Sequence, residues 1–136
     1  MDRHDEIARA LFAVGATLLH FLFGGWTLPL KVLVTLMVID YVTGVIAAFV
    51  NKELDSSVGI RGVAKKVGIL SLVVVSRMVD LLAGLENPVV QTVVIYGFVG
   101  HEGISIAENA AKMGLWVPRV LKDALVQLRK KGDEHV

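Results

Sequence analysis

The chain has 136 residues, 54% of them apolar and 20% charged, with a mean hydropathy of +0.65 and a formal net charge of +1. Soluble domains carry about 45–50% apolar residues, and a globule this small lacks the interior to hide a larger share. The near-zero charge offers no field for nucleic acid, and the absence of cysteine removes disulfides, thiolate zinc sites and thiol chemistry.

A bilayer suits this composition, and a chain crossing lipid must satisfy its own backbone hydrogen bonds, which points to helices. The first apolar segment is predicted over about residues 7–28, with Gly24-Gly25 breaking it near its end. Its leader, MDRHDEIAR, holds more acid than base, and no small-x-small cleavage site follows. The segment is therefore expected to be a retained span, with an in-plane amphipathic segment as the alternative because Arg9 and His20 flank it. The second helix is predicted over 31–50, behind Pro29, with Asp40 as its one internal charge. The run VLVTLMVIDYVTGVIAAFV at 32–50 rises about 29 Å as a helix, which matches a hydrocarbon core of about 30 Å. The third is predicted over 66–85 with Arg77 and Asp80 inside it, and the fourth over 88–110, opened by Asn87-Pro88.

The two short connections predict two antiparallel hairpins, helices 1–2 and 3–4, joined by the polar stretch NKELDSSVGIRGVAKK at 51–66. A last helix is predicted over 118–131. Its apolar stripe holds Val120, Leu121, Ala124, Leu125 and Leu128, with Arg119, Lys122, Arg129, Lys130 and Lys131 opposite. That pattern suits a helix lying flat on an anionic inner leaflet, the alternative being packing within the protein's own oligomer. The expected fold class is an all-α membrane protein: a single domain over 1–136, with four transmembrane helices in two hairpins and a C-terminal amphipathic interfacial helix. Lys65, Lys66 and the tail's basic residues fall on one side of such an arrangement, which predicts both termini inside.

Charges within the spans need partners, since one at mid-bilayer costs about 2.5–3.5 kcal/mol on insertion scales. Asp40 lies ten residues from Val50, and Arg77 ten residues from Val67. Equal depth predicts an Asp40–Arg77 ion pair, with Asp80 three residues further on sharing the arginine. Such a cluster either neutralises itself between packed helices or faces water and responds to voltage. Small residues at Gly44 and Ala48, and at Gly97, Gly100, Gly103 and Ala107, mark faces where helices approach closely.

The stretch HEGISIAENAA at 101–111 invites catalytic readings that fail. Ser105 stands where a zinc-protease motif needs its second histidine, and Ser105, His101 and Glu102 have neither a nucleophile elbow nor an oxyanion hole. No enzyme activity, metal or cofactor is expected. On a helix, His101, Ser105 and Glu108 form one stripe, and Glu102, Ser105 and Asn109 its neighbour. These are either a polar helix end near the headgroups or a stripe buried between helices or subunits, or lining an aqueous path. The depth of Glu102 favours the second.

Four segments, IDYVTGVIAA (39–48), ELDSSVGIRGVAKKVGIL (53–70), SRMVDLL (76–82) and EGISIAENAAKMGLWVPRVLKDAL (102–125), resemble the toxin-secretion/phage-lysis holin family, in that family's order. The most specific string runs through Glu102, Ser105, Glu108, Asn109, Gly114, Pro118 and Leu121. Residues 1–30 carry no part of the resemblance, and His101 and Arg77 have no counterpart in its pattern. The resemblance implies a non-enzymatic former of pores or lesions, a homo-oligomer in the host cytoplasmic membrane. Its functional partner would be a cell-wall hydrolase (endolysin) or a toxin, with no nucleic acid involved. The residues themselves also admit a small ion channel or proton-linked transporter using Asp40, Glu102 and His101, or a membrane adaptor recruiting a cytosolic partner.

Overall fold

The structure, a computed structural model, describes residues 2–133. These form five helices: α1 Arg3–Phe23, α2 Leu28–Val50, α3 Ser56–Leu82, α4 Val89–Lys112 and α5 Arg119–Asp133, with no strand among the described residues. Local signals set most of the boundaries. Gly24 takes the left-handed conformation (φ 74°) and its N–H closes on the His20 carbonyl at 2.7 Å, ending α1. Pro29 occupies the first turn of α2, where its missing N–H costs nothing.

The third helix begins ten residues before the predicted 66. Asp55 caps it, accepting hydrogen bonds from the backbone N–H of Ser57 (2.7 Å) and Val58 (3.3 Å) and from the Ser57 hydroxyl. Polar residues 56–65 are thus helical rather than loop, because helix formation here follows the cap and not the onset of apolar sequence.

α4 is the central helix. It packs against α2, α3 and α5, whereas α1 among the described residues packs against α3 and meets α4 through one hydrogen bond at Phe23. The α3–α4 hairpin is present, but the predicted α1–α2 hairpin is not. A cleft of about 510 Å³, lined by Leu19, Phe23, Trp26, Leu30 and Val34, lies between those two helices. The core is Leu30, Leu33 and Met37 of α2, Ile69 and Val73 of α3, and Ile95 and Val99 of α4. α1 contributes no buried residue.

Three helices, α1, α2 and α4, are long and apolar enough to cross a membrane. α3 has the length, but every eighteen-residue stretch of it holds at least three of Arg61, Lys65, Lys66, Arg77 and Asp80. The hairpins and chain direction define two ends: a lower end at Val50, Ser56 and Lys112, and an upper end at Gly24, Leu82 and Val89. Asn51 Nδ2 ties the lower ends of α2 and α4 together by donating to the Lys112 carbonyl at 3.2 Å.

α5 does not lie apart as a surface helix. It doubles back along α4 from the lower end, with its backbone on the glycine face. A methyl placed on Gly97 would lie 3.1 Å from Gly132 Cα, and one on Gly100 would run into the Arg129 amide nitrogen and sit 2.7 Å from the Leu125 carbonyl. At Gly103 the Leu125 side chain fills the space a methyl would take. The glycines at three-residue spacing, expected as contacts between spans, are the seat of the tail helix. Only glycine permits this backbone approach.

Candidate functional site: a buried three-charge cluster

Asp40, Lys66 and Glu102 lie at one level. Each is ten residues from the lower end of its helix, counting Asp40 to Val50, Ser56 to Lys66 and Glu102 to Lys112, or about 15 Å along the axis. Lys66 Nζ donates to Asp40 Oδ2 and to Glu102 Oε2, joining all three helices of the core. Glu102 is fully buried and the Lys66 side chain is only 13% exposed. Asn109, two turns below Glu102 on α4, completes the far side of Asp40. Its Nδ2 donates to Asp40 Oδ1 (3.0 Å), the Asp40 carbonyl (3.2 Å) and Thr43 Oγ1 (3.0 Å). Gly44 faces this amide, and a methyl there would touch it at an ordinary 3.5 Å.

Two carboxylates thus share one ammonium, and with both ionised the cluster carries a net negative charge. Glu102 Oε1 is buried and has no hydrogen-bond partner. Burial makes such an unpaired acceptor costly. The cluster is not sealed. A cavity of about 210 Å³, lined by Asp40, Tyr41, Arg61, Lys65, Ser105 and Asn109, borders it. Among the described residues no group of His, Asp or Glu side chains is arranged to hold a metal ion.

The predicted Asp40–Arg77 pair is not formed. Arg77 lies eleven residues beyond Lys66 on α3, about 16 Å higher. Its guanidinium sits beneath the α1–α2 turn, 3.0 Å from where a methyl on Gly24 would be, and its Nε is buried without a partner. The error follows from the start of α3: ten residues from Val67 is Arg77, but ten residues from the true start at Ser56 is Lys66. Lys66, expected among the inner-leaflet basic residues, is the central cation. Asp80 does not share the arginine either. It is 1% exposed and accepts from the backbone N–H of Val90 (2.9 Å) and Gln91 (2.8 Å), capping α4 from the neighbouring helix.

The two polar stripes of α4 part company. Glu102 and Asn109 turn toward α2 and α3, with Ser105 lining their cavity. His101 faces a separate cavity of about 460 Å³ between α3, α4 and α5, beside Arg129 and Ser76. Glu108 is exposed and lines a recess with Ala107 and Lys122 at the α4–α5 contact. Ala48 is half-buried. Arg119, Lys122, Arg129, Lys130 and Lys131 are exposed on α5, and the Arg119–Asp123 pair (3.9 Å) is too exposed to add much. Sequence reasoning missed three contributors: Lys66 in its central role, Thr43, and Gln91, whose Nε2 donates to the Phe23 carbonyl at 2.7 Å and ties α1 to α4. The Asp-Ser-Ser cap signal at 55–57 was the clue to the first of these.

An all-helical chain with three membrane-length apolar helices and charges buried at mid-length defines a membrane protein. The model of the Bacteriophage holin family matches residues 17–130, and the chain belongs to that family. It is 43% identical over 127 residues to an uncharacterised protein of Halalkalibacterium halodurans, covering 90% of this chain and 92% of that one. It is 42% identical over 115 residues to an uncharacterised 14.9 kDa protein of Clostridium perfringens, covering 85% and 87%. A probable holin of Bacillus phage phi105 is 31% identical over 105 residues, 77% of each chain. No solved structure matches.

Proposed function

We propose that this protein is a holin that oligomerises in the bacterial cytoplasmic membrane and opens lesions through which an endolysin, or a toxin, leaves the cell. The family match over residues 17–130, with a probable phage holin among the relatives, carries this reading. Holins are not a class of enzymes, and the cluster of two carboxylates and one lysine joins α2, α3 and α4. The helices support a membrane role further. α1 exposes Leu11, Phe12, Val14, Leu18 and Phe21 and buries nothing, so its partners are lipid or other copies.

Four spans follow if α3 crosses with the others. Its Lys66 is then neutralised by Asp40 and Glu102, and its polar first turns stand outside the core. An even number of spans puts both termini on one side. The basic residues near the lower end, Lys52, Arg61 and Lys65 with Lys112, Arg119 and Lys122, make that side the cytoplasm.

The test is inducible expression in a bacterium that also makes a cytosolic cell-wall hydrolase, following culture density, membrane potential and hydrolase release. A delayed, abrupt loss of potential together with release is expected. Depolarisation without release would assign a small channel instead, and an intact barrier despite membrane insertion would assign an adaptor.

A further inference from the structure

α5 has two faces of opposite chemistry, and the fold uses one of them. Leu125, Val126 and Leu128 are half-buried toward α4, and the helix backbone closes on Gly97, Gly100 and Gly103. The other face presents Arg119, Lys130 and Lys131, while Lys122 and Arg129 flank the α4 contact, Lys122 beside Glu108 and Arg129 beside His101. Because α5 runs back along α4, Arg129 lies beside Gly100 and Gly132 beside Gly97. Gly100 is twelve residues above Lys112, the lower end of α4, or about 18 Å. That depth is near the middle of a hydrocarbon core of about 30 Å. Arg129, Lys130 and Lys131 form no ion pair among the described residues, and their stems start too deep to snorkel to either headgroup layer. Lipid cannot be the neighbour of this face, and water can.

The segment that joins α5 to α4 is built to swing. Gly114 has φ +85° with open space around it, and Pro118 interrupts the chain just before α5. Trp116 is 83% exposed and is of the residue type that settles at a membrane surface. Released from α4, α5 could lay Val120, Leu121, Leu125 and Leu128 into that surface, with its basic residues on anionic headgroups.

We propose that docked α5 is the water-facing wall of the open lesion, and that in an intact membrane it swings away at Gly114 onto the anionic lipid surface of the lower side. This inference rests on the lesion-forming reading above. α4 then changes its neighbour between the two states. Its glycine face is covered by α5 when the path is open and is free when the membrane is sealed.

The test uses the full chain in phosphatidylcholine/phosphatidylglycerol vesicles that enclose a small dye and a folded hydrolase. The chain has no cysteine, so a Gly103→Cys/Leu125→Cys variant places a single thiol pair across the α4–α5 contact. Oxidation locks α5 down and is expected to raise release about tenfold over the same variant reduced, as a shift of the docking equilibrium requires. Gly100→Leu obstructs docking and is expected to lower release about tenfold below the parent at equal vesicle association. Return of the oxidised variant to the reduced rate with dithiothreitol shows that its fold is intact. A locked variant no leakier than its reduced form, with Gly100→Leu as leaky as the parent, overturns the proposal while leaving the lesion-forming reading in place. A parent chain that releases neither cargo sinks both.

Discussion

The bundle buries acid at two levels and satisfies it in two ways. At the upper end Asp80 accepts from two backbone amides at the start of α4, a partner that can leave only if the helix unwinds. At mid-length Glu102 depends on one lysine side chain, shared with Asp40, and its other oxygen has no partner, while Asp40 has the Asn109 amide besides. Burial is almost the same for Asp80 and Glu102, at 1% and 0% exposure, so burial alone does not distinguish them. The upper carboxylate is fixed by main chain. The lower pair is held by four single bonds' worth of side-chain freedom, in contact with a cavity.

Substitutions can break this contrast, and the largest effect is expected at Lys66. Lys66→Met leaves two carboxylates buried together and should cost about 3–5 kcal/mol, read as a lower melting temperature in detergent. Adding Asp40→Asn and Glu102→Gln to Lys66→Met should recover most of it. A triple variant no better than the single one would mean that Lys66 acts by packing rather than charge. Glu102 comes next. Glu102→Leu strands the lysine's second bond, whereas Glu102→Gln keeps an acceptor for it, so Leu should destabilise more than Gln by about 1–3 kcal/mol; equal melting points would remove Glu102 from the network. Asp80→Ala leaves the Val90 and Gln91 amides uncapped and should cost about 1–2 kcal/mol, with amide exchange rising at the α4 N-terminus alone. Exchange that rises equally near Asp40 would show the two levels to be one unit.

The smallest effect belongs to a carboxylate outside the bundle. The Ser57 hydroxyl, followed by the Ser57 backbone N–H, holds the Asp55 carboxyl below its ordinary value. A carboxylate depressed in the folded state stabilises above its unfolded pKa, about 3.9, and that contribution is lost as pH falls through the lower folded value. Protection of the first amides of α3 should therefore fade below about pH 4 in the parent. In Asp55→Ala it should be weak throughout, and a parent profile flat with pH would remove the cap from the account.

The contrast between the two levels also shows what could be read in the sequence. α2 and α4 were legible within a few residues because apolar runs bounded by Pro29 and Pro88 leave little choice. Asp40, Glu102 and Asn109 were singled out because polar groups in apolar helices must meet something. Their partner is not legible from depth, because the onset of hydrophobicity at Val67 does not mark the start of α3, which begins at its Asp55 cap. Periodicity reports which face Asp80 occupies, not that the amides of the next helix arrive there. α5 was recognised as amphipathic, but its apolar stripe fits a lipid surface and a glycine groove equally well, and periodicity does not separate the two.

α1 has a consequence of a different kind. It buries no side chain and among the described residues packs against α3, with one tie to α4 where the backbone carbonyl of its last residue, Phe23, accepts from Gln91. The family match begins only at residue 17. Over most of its length, then, α1 answers to its surroundings and not to particular neighbours, so one greasy residue serves as well as another there. Exchanging one apolar residue for another in the first four turns should therefore leave the packing of the remaining four helices as it is.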